Sequence, residues 1–474
     1  EYGILTTSIN FVIILSGISL IGLNYALNKL IPEYIAKNQE RKIYSLVKFS
    51  LKVILVSNLS ILLFLLFFKD QISAALKIPT QVIYLVPLSI LIISFCSILG
   101  SVIYGYQNMR LYMLTNFFGF LVKISLTTIL LYLNFSYFGP IIGFIISYAV
   151  ILFLRLFSIK IGRGESIENE KVLINFAIPA FISSLSIYVF SNSHYVFLSI
   201  FRTTLETGIF SIAMIISNII AAFPNILAAA LFPIISYLSA DRRNTRKQSY
   251  LIEIVLRYAS LLSLPVSIFL VVFSKEIIIL FSSEKFLKSA DLIPILVTAS
   301  ILFGFGNIFF HSLYAIGKTK IYRNLLSISS TLYILLTVLL TPKLSYIGIS
   351  LSYLVSSSFL FVSSYYYIKK FLKVRLPLVD LFKISLACMI IFIPFYFFTK
   401  FFDNLLQEIL FGIFSGVLYF FVLMPLRFYK KSDINILAFL EERASFGKFV
   451  FKITRKIIER SLKINGKLSV KKSR

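Results

Sequence analysis

EYGILTTSIN, starting at Glu1, returns as ETGIFSIAMI from Glu206, and FSYFGPIIGF from Phe135 returns as LSYIGISLSY from Leu344. Both copies consist of long apolar runs, so the sequence describes a duplicated membrane protein. Duplication about a shared centre commonly serves the movement of a substrate between two sides.

Composition leads to the same solvent. With 474 residues, 58% hydrophobic and 14% charged, and a mean hydropathy of +0.90, the chain cannot hide its apolar surface in a water-soluble core. Its apolar runs reach 20 or more residues, the length of a transmembrane helix and more than an outer-membrane strand requires. The expected class is an all-α integral membrane protein. Cys96 and Cys388 lie inside apolar runs, where they read as small hydrophobes and offer neither a disulfide framework nor a metal signature.

Windows bounded by charge and turn residues predict spans at about 4–30, 42–68, 80–105, 111–134 and 138–159, then 173–199, 207–236, 247–273, 288–316, 321–341 and 345–368, and finally 380–399 and 405–426. The second copy has one helix more at its front than the first. That mismatch predicts a further helix upstream of Glu1 and a parent arranged as six, six and two helices, of which 13 are visible in this sequence. The expected organisation is an N-lobe over 1–160, a cytoplasmic linker over 161–172, a C-lobe over 173–370, two extra helices over 371–427 and a basic tail over 428–474. Six helices per lobe would relate the lobes by an axis along the membrane normal.

Charge sets the orientation. Loops after alternate spans carry 19 Lys and Arg, the opposite loops carry 8, and the tail from Arg427 adds 14 to the richer side. This bias places the richer loops and the C-terminus in the cytoplasm of a cell-membrane protein. The net charge of +27 is thereby assigned to the membrane surface, and no nucleic-acid partner is expected. In the tail, Phe446, Phe449, Val450, Ile453, Ile457 and Leu462 share roughly one helical face, which suits an interfacial helix as well as a solvated tail.

Charges inside spans carry the functional signal, because each is costly unless it meets water or a partner. The first copy has Lys29, Lys48, Lys52 and Lys123, with Glu33 one turn beyond Lys29. Lys123 lies nearest a helix midpoint; the other three are close enough to the ends for snorkelling to headgroups as an alternative. Lys52 falls at the repeat position of Arg257, which follows Glu253 by four residues and would be neutralised by it in part. Asn10, Gly17, Asn24 and Asn28, and in the second copy Ser211, Asn218 and Asn225, form stripes that could line a cavity or lock helix to helix. Pro32 is expected to end the first span, and Pro224 and Pro233 can bend its counterpart. His194 and His311 are too isolated to imply a metal, and each is expected to be hydrogen-bonded. No GxxxxGK loop, GxSxG elbow or acidic pair at a membrane edge occurs, so neither an ATP-driven motor nor an enzyme is indicated, and no cofactor is expected.

The stretch EYGILTTSINFVIILSGISLIGLNYALNKLIPEYIAK, together with IYGYQNMRLYMLTN from Ile103, ETGIFSIAM from Glu206 and LYAIGKTKIYRN from Leu313, resembles polysaccharide-biosynthesis membrane proteins of the O-antigen flippase type. These belong to the multidrug/oligosaccharidyl-lipid/polysaccharide exporter superfamily. The resemblance implies two lobes around a central cavity and movement of an anionic polyprenyl-phosphate- or pyrophosphate-linked glycan from the inner to the outer leaflet. Implied partners are membrane lipids and glycosyltransferases of the same pathway. Cationic cavity residues would then correspond to Lys29, Lys52, Lys123 and Arg257, with Asn24, Asn28, Lys48, Glu253 and His194 in support. Where many relatives carry an acidic-basic pair late in the seventh helix, this chain reads Asn192, Ser193, His194.

Two rivals stand beside this reading. A multidrug or metabolite exporter of the same superfamily would want carboxylates for organic cations, and an integral-membrane glycosyltransferase or polymerase would want long outer loops with acidic or histidine groups. The charge bias generates a first prediction: a single cysteine placed in the 242–247 loop is labelled from the cytoplasmic side only. Labelling from outside the cell overturns the topology.

Overall fold

The apolar runs become helices in the computed structural model, which describes residues 1–159, 170–239, 244–399 and 405–430, and beyond them 433, 434, 438, 441, 452, 455, 456, 458 and 459. In order these are α1 (Tyr2–Leu20), α2 (Leu23–Ala36), α3 (Arg41–Phe67), α4 (Lys69–Leu76), α5 (Thr80–Gly105), α6 (Met109–Tyr132), α7 (Phe138–Ser158), α8 (Glu170–Phe201) and α9 (Thr204–Ser239). There follow α10 (Thr245–Val272), α11 (Ser274–Phe281), a 3-10 turn (Glu284–Leu292), α12 (Ile293–Ala315), α13 (Thr319–Leu372), α14 (Leu378–Thr399) and α15 (Leu405–Val422). The six apolar-face residues of the expected tail helix and the 161–169 part of the linker lie outside the described residues.

The duplication survives as structure. The short helix α4 after α3 recurs as α11 after α10 at the offset of the sequence repeat: Lys69 matches Ser274 and Leu76 matches Phe281, 205 residues apart. The hairpin α6–α7 returns within α13, which runs for 54 residues and breaks at Ser345 (φ 53, ψ −137). At 1.5 Å per residue such a run spans roughly 80 Å, more than two bilayer cores. The break therefore falls between the spans expected at 321–341 and 345–368. Among the described residues, 11 helices are long and apolar enough to cross a membrane, α13 counted as one.

The first expected span, 4–30, is not one helix. It breaks at Ile21 (φ 46) and Gly22 (φ 74) into α1 and α2, and Pro32 lies inside α2 rather than ending it. Gly22 is required on two counts: its backbone is left-handed, and a Cβ would stand 2.3 Å from the Ala177 carbonyl oxygen of α8. The single span expected over 4–30 is a helix pair in space, because α8 passes too close for a side chain at the junction.

Contacts divide the chain into two compact units, Glu1–Ile215 with Thr319–Leu360, and Ile216–Lys318 with Phe361–Arg474. In the first, α6 and α7 pack as an antiparallel hairpin. Their approach is set by Gly119, where a Cβ would sit 2.3 Å from Ile151, and Gly143, where one would sit 2.5 Å from Thr127 Oγ1. The opposite face of α6 exposes Met113, Phe117, Phe120, Leu121 and Ile124, an apolar surface suited to lipid. A core around Leu27, Leu30, Ile31, Ile43, Leu46 and Ile98 joins α2, α3 and α5. In the second unit, Leu261, Ile384, Cys388, Phe392, Tyr419 and Phe428 join α10, α14 and the end of α15.

Gly22→Val is expected to lower thermal stability by about 2 kcal/mol or more, through strain at positive φ and overlap with α8. Gly416→Ala, where nothing lies within 4 Å of the added Cβ, should leave the melting temperature of the detergent-solubilised protein unchanged or slightly raised.

Candidate functional site

Several helices of the first unit carry positive charges and no acids. The helices α1, α3, α5, α6 and α7 contain no Asp or Glu at all, while α3, α6 and α7 carry Arg41, Lys42, Lys48, Lys52, Arg110, Lys123 and Arg155. Lys123, at mid-length of α6, holds its ammonium 5.4 Å from the ring centroid of Phe144 on α7, and Phe144 is buried among Val12, Val86 and Ile90. Such a cation–π contact attracts the charge without neutralising it.

Lys29 projects from α2 over Phe176 of α8, 3.7 Å from its centroid. Glu33, expected beside Lys29, bonds instead to Lys37 at 2.6 Å. On the same helix the side-chain oxygens of Asn24 and Asn28 are buried without a hydrogen-bond partner. Lys48 and Lys52 lie on the outer stripe of α3, in register with exposed Leu55, Leu59 and Leu63; Lys48 approaches the Tyr44 ring at 5.9 Å. The four lysines are thus distributed over three helices, and no hydrogen bond or shared partner joins them among the described residues.

The polar stripes act chiefly between helices. A Cβ on Gly17 would touch Tyr188 at 2.6 Å, and Asn10 donates to the Thr6 carbonyl. Ser211 reaches Thr6 Oγ1 at 3.1 Å, and Asn307 Nδ2 donates to Asn225 Oδ1 at 2.8 Å. Gly17, Ser211 and Asn225 thus lie at helix contacts, one of the two expectations for these stripes, while Asn10 bonds within its own helix.

His194 departs from its expected hydrogen bond. It is 1% exposed, neither ring nitrogen has a hydrogen-bond partner among the described residues, and Tyr195, Phe210 and Tyr353 enclose it with ring centroids at 4.2, 5.3 and 6.3 Å.

Sequence reading counted Arg155 among loop charges, and the structure places it inside α7 at 3% exposure. Its Nη1 donates to the Cys96 carbonyl at 2.7 Å, Nη2 to Asn116 Oδ1 at 3.2 Å and Nε to Thr115 Oγ1 at 3.4 Å. Gly100 leaves room for the guanidinium, 2.5 Å from where a Cβ would be. No carboxylate contacts it among the described residues. The available signal was its setting, ILFLRLFSI, apolar on both sides.

The second unit treats its buried arginine differently. Arg257, expected to pair with Glu253, forms a two-pronged bond to Asp433 at 2.7 and 2.9 Å, donates to the Phe428 carbonyl at 2.8 Å and lies 3.3 Å from Asp380. That last contact is Coulombic, since Nε is not aligned for a hydrogen bond. Tyr258 also donates to Asp433, and Lys430 reaches Asp380 at 2.6 Å. Glu253 accepts instead from the backbone N–H of Arg375 at 2.8 Å. Arg257 therefore clamps the chain leaving α15 onto α10 and α14, its charge already matched.

Burial alone would raise the Asp433 carboxyl, but the hydrogen bonds and charge of Arg257, the Tyr258 hydroxyl and the Lys430 N–H together hold it below its ordinary value. A depressed carboxylate contributes stability that is complete above about pH 4, the ordinary Asp value, and is lost as pH falls through the folded value. Acid titration of the melting temperature should show this loss in the wild type. Asp433→Asn should melt lower at neutral pH and lose less on acidification; equal acid sensitivity of the two proteins would overturn the assignment.

Comparison with known proteins gives consistent results. The model of the family described as polysaccharide biosynthesis protein matches residues 1–239. The chain is 23% identical over 451 residues to an uncharacterized membrane protein of Methanocaldococcus jannaschii, covering 89% of this chain and 87% of the relative. It is 26% identical over 258 residues to the probable low-salt glycan biosynthesis flippase Agl15 of Haloferax volcanii, covering 54% of each. Among solved structures it is similar to the lipid II flippase MurJ in an inward closed conformation, with TM-score 0.72 and 19% identity over 88% of this chain and 92% of that one. It is also similar to an inward-facing multidrug resistance MATE family transporter of the MOP superfamily, with TM-score 0.63 and 18% identity over 78% and 94%. The fold is shared with both.

Proposed function

Because the chain belongs to the polysaccharide biosynthesis protein family and is a multi-pass membrane protein of MOP-transporter fold, we propose that it is a flippase carrying an anionic lipid-linked oligosaccharide from the inner to the outer leaflet. The carrying observation is the set of cations on α3, α6 and α7, which contain no carboxylate. A phosphate or pyrophosphate between lipid and sugar supplies the missing negative charge, and a cation in a poorly hydrated site binds it by charge-assisted hydrogen bonds. The flippases named among the relatives support the same substrate class.

Lys123 is the strongest phosphate contact in this reading, since its ammonium is held by an aromatic face and not by an acid. Lys29 forms a second contact, with Asn24 and Asn28, whose amide oxygens lack a hydrogen-bond partner among the described residues, on the same helix. Lys52 is a third, with Lys48 beside it. Arg257 and Glu253 serve through the positioning of α10, α14 and the C-terminal chain, and His194 is not assigned to the substrate. The two copies of the repeat, as lobes over 1–160 and 173–370 with the C-terminus in the cytoplasm, would alternate access to the site. The lack of acids in those helices speaks against a cationic drug as the cargo.

Replacing Lys123, Lys29 or Lys52 by Gln is expected to weaken substrate binding by about 1.5–3 kcal/mol, roughly tenfold or more. Glu at the same positions should do worse, and Lys471→Gln should leave transport intact. The measurement is leaflet translocation of a labelled lipid-linked sugar in proteoliposomes. Transport of a cationic dye without movement of the sugar lipid, or flipping indifferent to all three replacements, overturns the reading.

A further inference from the structure

The loops that the charge bias assigns to the outer side carry few cations, and the fold turns one of them, Lys77, onto the protein. Lys77 follows α4 at the turn into α5 with a left-handed backbone (φ 53). Its ammonium reaches the end of α8, donating to the carbonyls of Ile200 at 3.4 Å and of Arg202. Beside it the buried Ser199 donates to the Leu76 carbonyl. No carboxylate contacts Lys77 among the described residues. The acid nearest in sequence to these carbonyls, Glu206, accepts instead from Arg202 at 3.2 Å and from the Thr203 N–H at 3.4 Å. The Glu206 N–H donates in return to Thr203 Oγ1 at 3.2 Å, a reciprocal cap that starts α9.

These bonds join the two copies of the repeat. The turn after α4 belongs to the first copy, and the corner between α8 and α9 belongs to the second. The corner is seated tightly. A Cβ on Gly3 of α1 would stand 1.6 Å from the Thr204 carbonyl oxygen, and Arg202 Nη1 donates to the Pro342 carbonyl beside the break in α13 at 3.4 Å. Val196 packs with Ile4 and Leu5 against Leu76, Ile78, Val82 and Ile141. One turn along α9, Thr207 is fully buried. The seal is thus made of close contacts and hydrogen bonds, with Lys77 as a charge that has no counter-charge.

The repeat does not dictate that charge. The residue after α4 is Lys77, and 205 positions on, the residue after α11 is Ser282, whose backbone is extended (φ −138) and not left-handed. Helix electrostatics explain why an ammonium settles at the end of α8, where the last carbonyls carry partial negative charge. They also make the contact exchangeable. A carboxylate would hold Lys77 as an ion pair, whereas carbonyl oxygens offer only a fraction of the charge that a phosphate oxygen brings. An anion arriving at this corner can therefore draw Lys77 away from α8.

We propose that Lys77 is an outer latch and a further contact for the cargo: it keeps the α8–α9 corner closed, and it releases that corner to the phosphate or pyrophosphate of the lipid-linked glycan. The release rests on the flippase reading, and the latch does not. A latch of this kind keeps the outer end shut while no cargo is bound.

The test uses the full chain in right-side-out membrane vesicles, with Cys96 and Cys388 replaced by Ala and Thr207→Cys as the single reporter. The readout is the rate of labelling by a membrane-impermeant maleimide added outside. Lys77 should protect the reporter, and Lys77→Met should speed its labelling roughly tenfold or more. Lys77→Arg, which can still donate to the two carbonyls, should stay close to wild type. A polyprenyl-pyrophosphate-linked oligosaccharide should speed labelling in the protein with Lys77 and not in Lys77→Met, while a neutral glycolipid should leave both unchanged. Unchanged labelling in Lys77→Met, or Lys77→Arg labelling as fast as Lys77→Met, overturns the latch. No response to the phosphorylated lipid, or an equal response to the neutral one, overturns release by phosphate. Lys77-dependent labelling in a protein that moves no lipid-linked sugar keeps the latch and removes the flippase reading; translocation with labelling indifferent to residue 77 does the reverse.

Discussion

In a hydrocarbon solvent a backbone N–H or C=O that lacks a partner cannot turn to water, and this constraint governs everything else in the molecule. Helices meet it within one segment, which is why a chain this apolar is helical throughout its described spans. The same demand extends to side chains. Ser8, Ser50, Ser260 and Ser312 each donate back to the carbonyl four residues earlier, at 2.7 or 2.8 Å, so a polar atom crosses the core of a unit without leaving an unmet donor. Close approach between helices falls to glycine, as at Gly119 and Gly143 in the α6–α7 hairpin.

Charge is the harder case, and the two units handle it in opposite ways. Arg257 is matched by carboxylates and by a carbonyl, so removing a partner would strand a buried charge. Arg155 is held by three neutral oxygens and the face of Tyr112 at 5.1 Å; its hydrogen bonds are met while its charge is not. Lys123 goes further and has an aromatic ring in place of an acid. A gradient thus runs from structural ion pair to uncompensated cation, and the uncompensated end lies in the helices without carboxylates. The anionic cargo proposed above would complete that arrangement, whereas a cationic one would add to its imbalance.

The Arg257 clamp also shows how a structural charge fixes chain far from it in sequence. By fixing Phe428 and Asp433 against α10 it sets where Arg427 and Lys430 emerge, and Lys430 in turn covers Asp380. One buried guanidinium thus holds α10, the start of α14 and the chain leaving α15 together.

The sequence by itself determined the solvent, the helical class, the duplication and the family, because each is written in composition, run length and repeat, which are local or periodic quantities. The 205-residue offset read from Glu1 and Glu206 reappears in α4 and α11, and the division between the spans at 321–341 and 345–368 falls at Ser345. Partners across the fold were not legible. A window cannot tell that Arg155 lies inside a helix packing and not at its edge, that Arg257 looks past Glu253 to an aspartate 176 residues away, or that His194 has no hydrogen-bond partner. Nor could it show that α8 passes close enough to Gly22 to split the first span. Tertiary structure decided these, since a buried charge takes whichever partner the packing brings within reach, and packing is a property of helices far apart in the chain.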